Sequence, residues 1–167
     1  MHPPDFFKDA PRPRLSRQPR EFKLVALRDC PEPSLRPVFE TPQDAVDYWH
    51  RHVAGHPYFS PECECLVVLL LTVRHRVLGH HLVSVGTLNE VMAHPREVFR
   101  AAIVGGAYAV IMMHNHPSGD PQPSDADVRL NQTLVRAGQL LRIEVLDHIV
   151  VGHHAHASLR ELGHFGR

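Results

Sequence analysis

Two kinds of hydrophobic patterning run along the chain. Residues 65–73 form a continuous, valine-rich apolar run of strand length, and residues 108–113 form another. Strands covered on both faces read this way. Beyond the polar corner Arg74, His75 and Arg76, residues 77–85 read as a hairpin partner of the first run, and residues 143–151 as a last strand. A weaker alternation over residues 21–28 suggests a further short strand. Between these runs the period becomes helical. Thr41, Pro42 and Asp44 make a helix start, with Thr as N-cap, Pro at the first helical position and the acid reaching back. This helix is expected to run to about residue 53 and to bury Ala45, Val46 and Trp49, until Gly55 and Pro57 end it. Pro95 opens a second helix through residue 107, with Val98, Phe99, Ala102 and Ile103 inward. Ser124 caps a long third helix to about residue 141, and residues 153–163 leave room for one helical turn. The order β, α, ββ, α, β, α, β predicts an α/β domain, a mixed β-sheet flanked by helices.

Composition narrows the picture. A chain of 167 residues, 43% of them hydrophobic, favours one domain plus an arm. Residues 1–40 are expected to be a proline-rich, basic and partly disordered arm, and residues 41–167 the domain. Pro3, Pro4, Pro11, Pro13 and Pro19 each remove a backbone donor from the arm. Its first 20 residues also carry Lys8, Arg12, Arg14, Arg17 and Arg20 against only Asp5 and Asp9. Over the whole chain, however, Lys plus Arg and Asp plus Glu balance at 18 each. That argues against general polyanion binding and confines any nucleic-acid contact to a weak one through the arm. Cys30, Cys63 and Cys65 make no even disulfide framework, which suits a reducing cytoplasm. The opening residues lack a signal-peptide pattern and no apolar run is long enough to span a bilayer, so the expected location is cytoplasmic and away from membranes.

The oddity that matters is histidine, at 15 residues. His114 and His116 follow directly on the buried run 108–113. If they extend its last pleat, both imidazoles lie on one face, with Asn115 on the other. Pro117 and Gly119 turn the chain, Ser124 starts a helix, and Asp127 lies in its first turn, where the macrodipole favours a carboxylate. A strand end and a helix start can thus bring two nitrogens and one oxygen to a single ion. Two His and one carboxylate, with a fourth position left to water, suit a catalytic zinc (Zn2+) rather than a structural one. Ser124, beside that helix, could donate to a developing oxyanion. Each part has a plainer explanation: His-x-His is common, and Ser-x-x-Asp before a helix is first of all a capping box. The combination is what points to metal.

Competing zinc chemistries fail on their own motifs. The His-x-Glu and Pro-Cys-x-x-Cys of zinc nucleoside deaminases are missing, as is the His-Glu-x-x-His of zincins. His80 with His81, and His153, His154 and His156, read as surface histidines, and Cys63-x-Cys65 lacks a second pair at zinc-ribbon spacing.

His-x-His-Pro, six residues, Ser, two residues and Asp is similar to the JAMM signature of JAB-domain metalloproteases, matched here by His114, His116, Pro117, Ser124 and Asp127. The longer string from His114 to Pro121 resembles the RadC family in particular, as do residues 95–100 and 146–152. The resemblance covers about residues 40–152. It implies a cytidine-deaminase-like α/β fold, zinc held by His114, His116 and Asp127, and Ser124 assisting the transition state. It also implies an upstream glutamate that activates the zinc water. Glu64 is the first choice for that general base, Glu62 is an open alternative two residues away, and Glu90 and Glu97 are weaker ones.

The resemblance implies a zinc-dependent hydrolase of peptide or isopeptide bonds, acting on a peptide or protein-conjugate substrate that the sequence does not name. A second expectation follows from the DNA-repair label of RadC proteins: a DNA-associated accessory protein using the JAB domain as a binding module. Only about 40 residues precede the domain, without hairpin turns containing glycine, so a short form lacking the helix-hairpin-helix region is expected. A third is a module that keeps zinc without catalysis.

Overall fold

The structure, a computed structural model, describes residues 38–57, 59–86 and 93–165. The expected strand at residues 21–28 and nearly all of the basic arm lie outside the described residues. Five strands form one sheet in the order β2-β1-β3-β4-β5: β1 Cys65–Leu71, β2 Val77–Val85, β3 Ala109–Asn115, β4 Glu144–Val151 and β5 His156–Ser158. β1 pairs antiparallel with both β2 and β3, β3 runs parallel to β4, and β5 returns antiparallel on β4. The sheet is therefore mixed and the fold α/β, as the patterning predicts.

All seven residues of β1 and all seven of β3 are buried. Their alternation sends side chains into two cores. Cys65, Val67, Leu69, Leu71, Ile111 and Met113 meet helix α1, Pro42–Tyr48, through Ala45, Val46 and Tyr48. The helix continues through Val53 as a π-helical turn that buries Trp49. Its start is held by the Asp44 carboxylate, which accepts from the Thr41 amide at 2.8 Å and the Thr41 hydroxyl at 2.9 Å. On the other face, Leu66, Val68, Val110 and Met112 meet α2, Pro95–Val104, through Val98, Phe99 and Ala102, and α3, Asp125–Leu141, through Leu134.

A parallel pair needs a crossover, and α3 supplies it between β3 and β4. The loop leaving β3 and the first turn of α3 consequently sit at the same end of the sheet. Three details depart from the sequence expectation. β3 continues through His114 and Asn115, because β1 and β4 pair with it to that point. α2 stops at Val104 with Gly105 as its C-cap, and Ile103, expected inward, lies on its exposed side. β5 is a strand that the sequence pattern does not predict, since three residues carry no period. The helical turn expected after residue 153 follows it, with Leu162 N–H bonded to the Ser158 carbonyl at 3.0 Å. Among the described residues no helix is long and apolar enough to cross a membrane.

α3 lies hard against the entry to β4. A Cβ built on Gly138 would stand 2.5 Å from the Ile143 carbonyl oxygen and 3.2 Å from the Phe99 ring. Alanine at this position would gain up to about 1 kcal/mol of helix propensity, but overpacking against backbone costs about 1–3 kcal/mol. Gly138→Ala is therefore expected to melt several degrees below wild type in a thermal scan, and an unchanged or higher melting temperature would contradict this packing.

Candidate metal centre

The β1–β3 register brings the site together. Leu66 pairs with His114, so one pleat further places Glu64 across from His116 on the same face. His114 is the penultimate residue of β3, and its side chain is only 2% exposed. His116 follows where β3 leaves the sheet, its amide still bonded to the Val151 carbonyl at 3.0 Å. Asn115, on the opposite face, ties β3 to β1: its side-chain oxygen accepts from the Cys65 amide at 2.9 Å and its nitrogen donates to the Cys63 carbonyl at 3.0 Å. Asp127 reaches in from the first turn of α3, which Ser124 caps.

Glu64, His114, His116 and Asp127 each offer one ligand atom, and these atoms all lie within 4.8 Å of one another. His114 Nε2 is 3.1 Å from His116 Nε2, 3.2 Å from Asp127 Oδ1 and 3.5 Å from Glu64 Oε1, while His116 Nε2 is 3.5 Å from Asp127 Oδ2. Ligand atoms held about 2.0–2.2 Å from a tetrahedral ion lie roughly 3.3–3.6 Å apart. The donors therefore fit one small divalent cation, and imidazole with carboxylate suits a borderline metal such as zinc. His116, with 16% of its side chain exposed, is the most open of the four, so solvent reaches the cluster on its side.

Capping and metal binding are not alternatives here. Asp127 Oδ2 accepts from the Ser124 amide at 2.7 Å and the Ser124 hydroxyl at 2.6 Å, while the Ser124 oxygen accepts from the Asp127 amide at 3.2 Å. That reciprocal box leaves Oδ1 turned to His114. Burial alone would raise the Asp127 carboxyl, but its close contacts with the His114 and His116 imidazoles and the hydrogen bond from Ser124 hold it well below the usual carboxylate range. The same contact with Asp127 raises the His116 imidazole, against a smaller opposing effect of burial. His116 Nδ1 faces the Asp120 carbonyl at 2.8 Å, which orients the ring.

Of the candidates for the general base, Glu64 is buried in this cluster and Glu62 is exposed outside it. Glu97 is engaged by Arg96 at 3.2 Å and Arg100 at 3.0 Å, and Glu90 lies outside the described residues. His153 and His154 are exposed and stand apart from the cluster. His80, expected at the surface, is instead half-buried and bonded to the Tyr48 hydroxyl at 2.9 Å. Cys65 is a buried core thiol, and Cys63 is also free. One residue at the site escaped the sequence expectations. His148, fully buried on β4, places its Nε2 2.9 Å from His114 Nδ1. Burial, and then the neighbouring imidazoles, push His148 down to about 3. A polar residue within the apolar run of β4 was the available signal.

Comparison with known proteins places the chain among relatives of one family. A family model described as RadC-like JAB domain matches residues 39–164. A UPF0758 protein of Thermosynechococcus vestitus is 52% identical over 99 residues, covering 59% of this chain and 40% of the relative. One from Desulfitobacterium hafniense is 41% identical over 132 residues, covering 79% of this chain and 56% of the relative. A third, from Desulforudis audaxviator, is 41% identical over 144 residues, or 86% of this chain and 60% of the relative. The chain thus spans about half the length of these curated relatives.

Asp127 and His116 each contribute to the pH dependence of the metal-free protein. The lowered pKa of Asp127 contributes stability that is present above its unfolded value near 4 and lost as pH falls through the folded one. The raised pKa of His116 contributes stability that is present below about 6.5 and lost as pH rises through its folded value. Chelator-treated protein should accordingly melt at progressively lower temperature as pH is raised from about 6.5 through His116's folded value. Asp127→Asn should flatten that alkaline decline. An equally steep decline in the variant would show that this pair does not set it.

Proposed function

Because the chain belongs to the RadC-like JAB domain family, we propose that it is a zinc-dependent metallohydrolase that cleaves an amide bond, with a peptide or a protein conjugate as its substrate. The observation that carries this is the convergence of two imidazole nitrogens and two carboxylates within 4.8 Å, beside a histidine open to solvent. On this reading His114, His116 and Asp127 hold the ion and leave a position for water or substrate. When bound, zinc supplies Lewis acidity, polarising a carbonyl and lowering the pKa of water from about 15.7 to roughly 7.

The remaining chemistry falls to the chain itself. Glu64, held in the low-dielectric end of the sheet at 3.5 Å from His114 Nε2, takes a proton from the attacking water and returns it to the departing amine. The Ser124 hydroxyl sits at the edge of the cluster through its bond to Asp127. By rotating off that carboxylate it donates to the oxyanion as charge develops there. His116 forms the open wall past which a substrate carbonyl enters.

Elemental analysis of the untagged protein tests the metal step: one zinc per chain in wild type, lost in His116→Ala and in Asp127→Ala. Glu64→Gln then separates binding from chemistry. It is expected to keep the zinc and to lower amide hydrolysis about 100-fold or more, the scale of losing a general base. Zinc lost from Glu64→Gln would make Glu64 a ligand instead, and zinc indifferent to His116 and Asp127 would end the hydrolase proposal.

A further inference from the structure

His148 is 0% exposed and lies on β4 beside Met112, on the face that carries His114. Its Nε2 is 2.9 Å from His114 Nδ1, with the rings 4.9 Å apart and tilted by 57°. Its other nitrogen, Nδ1, has no hydrogen-bond partner among the described residues. An imidazole buried in an apolar core with one nitrogen unsatisfied is destabilising relative to an aliphatic side chain of similar volume. Packing therefore does not account for it.

The backbone beneath His148 is also pinned. Asp147 Oδ1 accepts from the His148 amide at 2.7 Å and the Arg160 amide at 3.2 Å, and Asp147 Oδ2 accepts from the Ser158 hydroxyl at 2.6 Å. Those three bonds fix β4 against β5 and the turn after it, so the ring is delivered to a defined position.

The contact between the two imidazoles holds one shared proton, and its placement decides what His114 can do. If His148 Nε2 carried it, His114 Nδ1 would be the acceptor and the neutral His114 ring would carry its own proton on Nε2. That nitrogen faces His116, Asp127 and Glu64, and in that form it has no lone pair for a metal. If His114 Nδ1 carries the proton, Nε2 is free to ligate, and His148 accepts through Nε2. We propose that His148 is a positioning residue for the metal centre: it accepts the hydrogen bond from His114 Nδ1–H and so holds His114 in the tautomer and ring orientation that turn an Nε2 lone pair to the ion. This rests on the assignment of the cluster as a zinc site. A ligating histidine commonly donates its other N–H to a carboxylate, a carbonyl or water. Here a second, buried histidine takes that place.

Two measurements on the 167-residue chain test it. Zinc affinity by competition with a chromogenic chelator compares wild type with His148→Leu, which keeps volume without an acceptor, and His148→Gln, whose amide oxygen can accept. His148→Leu is expected to weaken zinc about 10–100-fold and His148→Gln to restore most of the loss, with the metal-free forms of all three melting cooperatively. Long-range 15N correlation spectra of zinc-loaded, histidine-labelled wild type read the tautomers directly, with His114 and His148 both expected protonated on Nδ1. A proton on His148 Nε2, wild-type affinity in His148→Leu, or equal loss in the two folded variants would overturn the proposal. Wild type and His116→Ala that alike take up no zinc would overturn the metal assignment itself, and this inference with it.

Discussion

The pairing of Leu66 with His114 across β1 and β3 is the constraint on which the site depends. In most sheets one polar face forbids a register slip, because a shift of one residue turns every apolar side chain to water. β1 and β3 are buried along their whole length on both faces, so hydrophobic pattern alone would tolerate the slip. Specificity comes from a polar device. Asn115 bonds to the Cys65 amide and the Cys63 carbonyl, and a slipped register would leave the buried Cys65 amide and the buried Asn115 side chain unpaired, at about 1–3 kcal/mol each. The same register sends Glu64 and His114 to one face, so the bond that aligns the strands also assembles the cluster.

Around that alignment, groups with structural work also take part in the site. The capping box of α3 uses one oxygen of Asp127 and leaves the other facing His114. The crossover that a parallel β3–β4 pair requires brings the start of α3 back to the end of β3. The Asp147 carboxylate that anchors β5 and its following turn also fixes the backbone of His148. Buried ionisable groups are tolerated when each has a partner of opposite demand. Here the imidazoles and carboxylates partner one another, which holds Asp127 ionised and His116 above its ordinary value.

Much of this was legible in the chain because it is encoded at short range. Continuous apolar runs gave away β1 and β3, the capping sequences marked the starts of α1 and α3, and prolines marked where regular structure stops. The spacing of two between His114 and His116 sets a common strand face, and the spacing of three between Ser124 and Asp127 sets a first helical turn. Those local periods hold wherever the elements end up. The strand-helix order likewise implied a mixed sheet flanked by helices, and the His-x-His-Pro string pointed to the family that the comparison then established.

What the tertiary structure alone decided involves residues far apart in sequence. Glu64 and Glu62 are indistinguishable by spacing, and only the β1–β3 register, spanning some fifty positions, buries one in the cluster and leaves the other exposed. The continuation of β3 through Asn115 needed neighbours on both sides to complete its hydrogen bonds. His148 meets His114 from a strand thirty-four residues on, and nothing local to His148 says which imidazole nitrogen it will face. By itself the sequence determined the elements and the ligand types, through periods of two and 3.6 residues. Which side chains converge on one point was decided by strand register and crossover, which are properties of the packed sheet and not of any segment.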